Sequence, residues 1–228
     1  EKGAYGKVIR MMAHEVNNTI GPVNSILQQT LSTKGIWDGD QRSALKNAIQ
    51  VAVDRNHNLN VFMRNFADLV KLPPVKRLNI DLVQLIYSVT DFMQIKAKMQ
   101  DIHFEFELPT SGYFILADAQ QMEQALINII KNAIEAIRDG GVIHFSLDPL
   151  GQVLKIKDNG AGVSAEVSDQ LFSPFFSTKK DGQGIGLTLV REILVNHGYI
   201  FSLKTEKIGE TVFEINVGYR KVKDAQGF

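Results

Sequence analysis

The stretch AQQMEQALINIIKNAIEAIR, residues 119–138, decides the fold of the larger part of the chain. Its apolar residues recur at spacings of three and four, which predicts a strongly amphipathic helix, and Gly140-Gly141 closes it. Asn128 and Asn132 are one helical turn apart and therefore share a face. That face is polar, while the buried side is supplied by Leu126, Ile127, Ile130 and Ile134.

Shorter periodic patterns surround this helix. Residues 102–108 alternate between polar and apolar side chains, which is typical of a strand. The predicted strands are Ile102–Leu108, Tyr113–Leu116, Val142–Leu147, Gln152–Lys157, Tyr199–Thr205 and Thr211–Gly218. Further helices are predicted at Leu82–Met99 and Ile185–Asn196, and a glycine-rich irregular region runs from Asn159 to Gly186. Helices and mainly antiparallel strands in this order predict a two-layer α/β sandwich.

The first third of the chain is helical by pattern. One stripe recurs at spacings of three and four, at Ile9, Met12, Val16, Ile20, Val23 and Leu27. A turn at Ser32–Asp40 and a second pattern from Leu45 to Leu69 complete an antiparallel hairpin, and Pro73-Pro74 forbids further helix. We expect two hairpins to pair as a four-helix bundle, so the predicted state is a homodimer. A monomeric hairpin packed on its own second domain is the alternative.

These patterns divide the chain into a hairpin domain (1–72), a linker (73–76), a second domain (77–220) and a C-terminal tail (221–228). The 228 residues carry 25 basic and 25 acidic side chains, which gives no electrostatic reason to expect nucleic acid or an anionic membrane as partner. The absence of cysteine excludes thiolate catalysis and disulfides. With Glu1 first and no apolar run long enough to span a bilayer, we expect a cytoplasmic piece of a longer protein.

His14 lies on the first predicted helix, roughly 160–240° around the axis from the apolar stripe. It therefore points away from the expected bundle core, with Glu15 next to it and Asn18 one turn further along the same side. An imidazole nitrogen with a free lone pair is a competent phosphoryl acceptor. A carboxylate beside the other nitrogen can fix the tautomer and take up charge as the ring attacks.

Residues 14–23, HEVNNTIGPV, resemble the H-box of sensor histidine kinases, commonly H-E-I-K-N-P-L-x-P-I. The histidine, Glu15, Asn18 and Pro22 fall in register, whereas Thr19 stands where many members carry a proline. The resemblance implies that His14 is the phosphorylated residue and that Glu15 assists autophosphorylation. It also implies that Asn18 positions the water that dephosphorylates the response regulator; a solvated surface amide is the alternative.

Later segments resemble, in order, the ATP-binding boxes of the same family. Residues 128–136, NIIKNAIEA, resemble the N-box N-x-x-x-N-A, and residues 158–162, DNGAG, resemble the G1 box D-x-G-x-G. Residues 171–179, LFSPFFSTK, are similar to the F-box that borders the nucleotide lid. Residues 182–187, GQGIGL, resemble the G2 box, and Gly209-Glu210-Thr211 resembles a reduced G3 box. Each box alone has a structural alternative, such as a turn or a wet helix face, but their order together with the H-box favours the kinase.

The resemblance implies an ATP-binding domain of the GHKL type with the Bergerat fold, using ATP and Mg²⁺. It assigns Asn128 and Asn132 to Mg²⁺, and Lys131 and Lys179 to the phosphates. It assigns Asp158 to the adenine amino group. The other nucleotide-binding residues that it implies are Gly160, Gly162, Gly182, Gly184, Gly186, Leu187 and Thr211. The implied partner is a response regulator receiver domain, whose aspartate receives the phosphoryl group and toward which the kinase also acts as a phosphatase.

Other functions use parts of the same sequence. ATPases of the gyrase, heat-shock ninety and mismatch-repair types resemble the second domain but carry a glutamate where Asn128 stands, to activate water. A protein-serine kinase of this fold has no need of His14. A dimeric scaffold that binds ATP and a receiver without catalysis is a further alternative. Folding the hairpin at its loop brings residues 54–58 near His14, and we expect Arg55, His57 and Asn58 to border the phosphotransfer surface unless they are simply solvated.

Overall fold

A computed structural model describes most of the chain in two compact units. The described residues are 16, 20–21, 23–32, 40–70, 72–138, 140–164, 166–173, 176–179, 184–207 and 209–218. The first unit comprises the chain up to Leu72 together with Thr178–Ile185, and the second comprises Pro73–Ser177 and the chain from Gly186 onward. None of the described helices is long and apolar enough to cross a membrane.

The first unit contains helical residues 23–32 and the helix α1, Asp40–Val70. Among the α1 side chains that the structure describes, Val53 and Asn60 are buried, whereas Leu45, Val51 and Leu59 are exposed, as is Ile26 on the preceding helical part. A cavity of about 400 Å³ lies between these two helical parts, lined by Asn24, Gln28, Gln50, Val53, Asp54, His57 and Asn58. The antiparallel hairpin and its pairing into a four-helix bundle remain predictions.

The second unit is an α/β sandwich, as predicted. Its helices are α2 Leu82–Lys98, α3 Ala119–Ala136 and α4 Gly186–His197. Its strands are β1 Leu78–Asp81, β2 Ile102–Glu107, β3 Phe114–Ala117, β4 Gly141–Asp148, β5 Val153–Asp158, β6 Ile200–Lys207 and β7 Glu210–Asn216. A short 3-10 helix, Ser168–Gln170, lies in the irregular region.

The main sheet has five strands in the order β2-β4-β5-β7-β6. The β2–β4 pairing is parallel and the other three are antiparallel. One face of this sheet is buried, and its side chains include Phe145, Leu154, Ile156 and Ile215. In the helical layer, α3 packs between α2 and α4. Alternation along each strand sends the charged residues, such as Lys155 and Glu214, to the opposite face.

A second, two-stranded sheet was not predicted. The four residues of β1 pair antiparallel with β3, so that Leu78 lies opposite Ala117 and Asp81 opposite Phe114. Asp81 then caps α2, because its carboxylate accepts hydrogen bonds from the N–H groups of Val83 and Gln84. This small sheet brings the chain entering the second unit against the residue that begins α3.

Candidate nucleotide-binding site

Asp158 ends β5, and its side chain is buried at 7% exposure. One carboxylate oxygen accepts a hydrogen bond of 3.0 Å from the N–H of Gly160. Burial raises the pKa of Asp158 to about 6, although the Gly160 N–H opposes that shift. A carboxylate withdrawn from water, with lone pairs that this single hydrogen bond does not use, is suited to accept a hydrogen bond from an amino group of a ligand.

The strand register places two threonines beside this carboxylate. Asp158 lies opposite Thr211 on β7, and Thr211 lies opposite Thr205 on β6, so the three side chains form one polar row across three strands. The Thr205 and Thr211 hydroxyl oxygens are 3.2 Å apart. The Thr205 hydroxyl also accepts a hydrogen bond of 2.7 Å from the N–H of Val163, which ties the loop after β5 to β6. Thr205 was not predicted; its place opposite Thr211 follows from the hairpin of the last two predicted strands.

Two glycines let the loop after β5 approach its neighbours closely. A Cβ on Gly160 would lie 2.8 Å from the backbone carbonyl atoms of Ala136, at the end of α3. The neighbouring Ala161 N–H donates to the Ala136 carbonyl oxygen at 3.1 Å. Gly162 has a φ of +81°, where a side chain is strained and would also meet Thr205. The glycines therefore hold the Asp158 loop directly against α3 and β6.

The predicted asparagines lie on α3. The Asn128 amide donates a hydrogen bond of 2.8 Å to the Gln124 carbonyl oxygen, which leaves its own oxygen 3.0 Å from the position of a Cβ on Gly186. That amide oxygen therefore faces the first residue of α4. Asn132, one turn along, is half-buried. Amide oxygens and helix N-termini both suit a metal-bound phosphate, and the roles of Asn128 and Asn132 stay a prediction.

Lys131, which was predicted to contact phosphate, lies beside a carboxylate in the structure, and its contact with phosphate stays a prediction. Its side chain is half-exposed and lies 3.9 Å from the Glu135 carboxylate, one turn further along α3. The same Glu135 oxygen is 3.1 Å from the Lys96 ammonium group of α2. The structure therefore brings Lys131 to a surface ion-pair cluster.

The remaining predicted residues are divided between described and undescribed parts of the chain. Gly186 and Leu187 begin α4. Gly184 has a φ of +65°, the left-handed region that favours glycine, and Lys179 is exposed; both belong to the segment grouped with the first unit. Gly182, His14, Glu15 and Asn18 lie outside the described residues.

The donor set fits Mg²⁺ held largely through a nucleotide. Within the described ranges there is no group of three or more His, Asp or Glu side chains that could hold a metal ion. The predicted ligands are the amide oxygens of Asn128 and Asn132, and Mg²⁺ is usually bound by few protein groups together with substrate phosphates and waters.

Comparison with known proteins identifies the type of domain that contains these residues. Residues 117–220 match the family of histidine kinase-, DNA gyrase B- and HSP90-like ATPases. The chain is 26% identical over 219 residues to sporulation kinase E of Bacillus subtilis strain 168, covering 95% of this chain and 29% of that protein. It is 29% identical over 197 residues to the sensor histidine kinase ZraS of Escherichia coli strain K12, covering 86% of this chain and 41% of that protein. The chain spans less than half the length of the curated relatives that it matches.

Solved structures give the same result. The nucleotide-free catalytic domain of histidine kinase ThkA superimposes with a TM-score of 0.56 and 29% identity, covering 62% of this chain and 96% of that one. ThkA in complex with the response regulator protein TrrA gives a TM-score of 0.62 and 24% identity, covering 93% of this chain and 62% of that one. The chain is therefore homologous to sensor histidine kinases, and its residues 117–220 match an ATPase domain of the histidine kinase, DNA gyrase B and HSP90 type.

Proposed function

We propose that this chain is the catalytic core of a kinase that phosphorylates its own His14 with ATP and passes the phosphoryl group to an aspartate of a response regulator receiver domain. The observation that carries the proposal is the buried Asp158 carboxylate in one row with Thr211 and Thr205, within a domain of the ATPase family. Asp158 accepts a hydrogen bond from the adenine amino group, and Thr211 contacts the base through water.

The phosphate end of the nucleotide lies toward α3 and α4. The amide oxygens of Asn128 and Asn132 hold Mg²⁺, which offsets negative charge on the phosphates when bound. Gly160 and Gly162 shape the base-binding loop, and the glycines at 182, 184 and 186 with Leu187 wrap the phosphates. Lys179 supplies a cation to them. Lys131 has a lesser part because Glu135 already lies beside it.

His14 is the acceptor in the first unit. One imidazole nitrogen forms a bond to the γ-phosphorus while the bond from that phosphorus to the β–γ bridging oxygen breaks, and ADP leaves with that electron pair. The proton on the other ring nitrogen passes to Glu15, so the ring does not retain a positive charge. The phosphohistidine then donates its phosphoryl group to a receiver aspartate, and Asn18 positions the water that later hydrolyses the aspartyl phosphate.

Dimerisation is part of the proposal. Ile26, Leu45, Val51 and Leu59 are between 42% and 63% exposed on the helical parts of the first unit. Large apolar side chains this exposed on helices are normally covered by other helices. A second copy of the hairpin would cover them in a four-helix bundle.

A receiver domain is the proposed partner because the relative ThkA has been solved with a response regulator. Arg55 and His57 are exposed on α1, where we expect them to border the receiver surface. Arg55→Ala and His57→Ala should slow transfer to a cognate receiver without slowing autophosphorylation, measured as loss of label from the kinase. Unchanged transfer in both variants would remove this surface from the proposal.

Incubation with γ-labelled ATP and Mg²⁺ tests the kinase itself. The chain should acquire label that is labile in acid and stable in base, and His14→Gln should abolish it. His103→Gln is the matched control, since His103 is an exposed histidine far along the chain in the second unit, and its labelling should equal that of the wild type. Label that persists in His14→Gln would overturn the proposal.

Steady ATP hydrolysis without labelled protein would favour the second candidate, an ATPase of the same fold. Asn128 argues against it, because the resemblance to those ATPases requires a glutamate at this position to activate water. Nucleotide binding with neither label nor hydrolysis would instead favour the non-catalytic scaffold.

A further inference from the structure

Residues 73–77, which lead from the first unit into the second, are hydrogen-bonded to the helices of the second unit. The Gln121 side-chain amide of α3 donates to the Pro73 carbonyl oxygen at 3.0 Å. The Lys76 N–H donates to an Asp118 carboxylate oxygen at 3.0 Å. The Arg77 guanidinium donates to the Asn196 carbonyl oxygen, at the end of α4, at 2.9 Å. Pro73, Lys76 and Arg77 of this segment are therefore each hydrogen-bonded to the second unit.

The sheet register explains why Asp118 meets this segment. Because Leu78 pairs with Ala117, the preceding residues of one strand and the following residue of the other lie side by side. Asp118 is also the N-cap of α3, where its second carboxylate oxygen accepts a hydrogen bond of 3.2 Å from the Gln121 N–H. One carboxylate thus joins the start of α3 to the entering chain.

The backbone of Asp118 is hydrogen-bonded to a buried histidine, His197. The Asp118 N–H donates to Nε2 of His197 at 3.0 Å, so Nδ1 carries the ring proton and donates to the Ile193 carbonyl oxygen at 2.7 Å. His197 is fully buried. Burial lowers the pKa of His197, which keeps the ring neutral and Nε2 available as an acceptor. Asp118 is therefore hydrogen-bonded to α4, through His197, as well as to α3.

Gln121 is an unusual residue to bury. Its side chain is 4% exposed, and its amide oxygen has no hydrogen-bond partner among the described residues. A buried amide oxygen without a partner lowers stability by about 1–3 kcal/mol, so an apolar residue would suit the fold better. What the amide adds here is the hydrogen bond to Pro73. Gln121 lies seven residues before Asn128 on the same helix, a rise of about 10 Å.

We propose that Asp118 and Gln121 are positioning residues for phosphoryl transfer, which fasten residues 73–77 to α3 and so shorten the tether that leads into the second unit. This inference rests on the proposed function, since it concerns how the nucleotide reaches His14. Each residue released from α3 would lengthen the tether by up to about 3.3 Å. A longer tether lowers the effective concentration of one tethered unit at the other.

Gln121→Met in the full chain tests the proposal, because it keeps the side-chain volume and removes the hydrogen bond to Pro73. We expect amide hydrogen exchange at Val75, Lys76 and Arg77, the residues of this segment that carry an N–H, to accelerate about tenfold, and the initial rate of His14 phosphorylation to fall about fivefold. Affinity for a non-hydrolysable ATP analogue should change by less than about twofold, since no group that binds the nucleotide has changed. Gln120→Met is the matched control; Gln120 is exposed one residue earlier, and all three readouts should stay at the wild-type value.

A second pair of variants uses two helix-capping aspartates. Asp118→Asn and Asp81→Asn both retain a good N-cap, but only Asp118 reaches residues 73–77. Asp118→Asn should accelerate exchange at Lys76, whereas Asp81→Asn should not.

Wild-type exchange across residues 73–77 in Gln121→Met would overturn the proposal. So would a loss of phosphorylation matched by an equal loss of analogue affinity, because the residue would then act on the fold or the nucleotide site. A wild-type chain that binds the analogue but never carries phosphohistidine would overturn the proposed function and the positioning role together. Faster exchange in Gln121→Met would then still show the segment to be fastened, so the two failures are distinguishable.

Discussion

The two units differ in what they bury. In the second unit, large apolar side chains such as Leu82, Ile86 and Leu126 are fully buried within one chain. On the described helical parts of the first unit, Ile26 is 63% and Leu45 is 56% exposed, while Asn60 is buried. The second unit thus has a large buried apolar core, whereas Val53 is the buried apolar side chain on the described helical parts of the first.

The same contrast holds for the polar groups. In the second unit, strand register places Asp158, Thr205 and Thr211 side by side. Gly160 and Gly162 allow the loop after Asp158 to pack closely against α3 and β6, where a side chain would clash. A site that must recognise a nucleotide benefits from such fixed groups. In the proposed function the first unit offers an acceptor histidine that the nucleotide has to approach, so that function depends on association more than on internal packing.

The largest expected effect is on the stability of the second unit. Gly160→Ala places a methyl group 2.8 Å from the Ala136 backbone, which cannot move without shifting the end of α3. We expect a loss of about 3 kcal/mol in the free energy of unfolding of the second unit, together with loss of nucleotide binding. Gly21→Ala is the comparison in the first unit, where a Cβ meets nothing within 4 Å, and its effect should stay below about 1 kcal/mol in denaturant unfolding. Equal effects of the two variants would break the contrast.

The next largest effect is expected on the dimerisation of the first unit. Leu45→Asp should weaken the dimer about a hundredfold, since two copies of a half-exposed leucine would lose their apolar contacts. Ser43→Asp introduces the same residue at an exposed position two residues before Leu45 on α1, about 160° around the helix from Leu45 and Leu59 and about 80° from Val51, and should leave the dimer intact. Analytical ultracentrifugation over a concentration series gives both constants. A monomeric wild type would contradict the dimer.

Asp158 should make the stability of the second unit depend on pH. Its pKa is raised to about 6 in the folded protein, so the folded state binds a proton more tightly than the unfolded state between about pH 4 and pH 6. Stability should therefore fall as pH rises through this window. Asp158→Asn should be more stable than the wild type by about 2 kcal/mol at pH 7, and the difference should vanish below about pH 4. Urea unfolding at several pH values measures it.

Nucleotide affinity should change in the opposite sense. Because the ionised carboxylate is the better acceptor, wild-type affinity at pH 5 should be about fivefold lower than at pH 7. Asp158→Asn should bind weakly at both values. Identical pH dependence in the variant would assign the titration to another group.

The smallest effect is expected on the solvent face of the sheet. The Lys155 ammonium group lies 2.8 Å from the Glu214 carboxylate, but both side chains are substantially exposed. Their coupling energy, from a double-mutant cycle with Lys155→Ala and Glu214→Ala, should be below about 1 kcal/mol. A larger value would show that this face contributes to the core's stability.

Periodic sequence predicted most of the second unit. α3 was predicted at residues 119–138 and is Ala119–Ala136, because a long amphipathic pattern is unambiguous. The strand β1 escaped prediction because LNID is too short to show a period and is stabilised only by pairing with β3. The parallel β2–β4 pairing has no local signal either, since it depends on where α3 returns the chain.

The candidate site was predictable in part for the same reason. Asp158 and Thr211 belong to motifs, but their adjacency is a property of strand register. Gln121 carries no motif that was recognised, because its contact with Pro73 joins residues 48 positions apart. Lys131 was assigned to phosphate, whereas the i,i+4 ion pair with Glu135 is readable from sequence spacing alone. Whether His14, Glu15 and Asn18 act as expected stays a prediction.

One side-by-side measurement tests the central claim most directly: nucleotide affinity and labelled phosphoryl incorporation in the wild type, His14→Gln and Asp158→Ala. We predict that His14→Gln binds ATP with wild-type affinity and incorporates no label, while Asp158→Ala loses both binding and label. Wild-type labelling in His14→Gln, or wild-type binding in Asp158→Ala, would contradict a nucleotide held in the second unit and delivered to a histidine of the first.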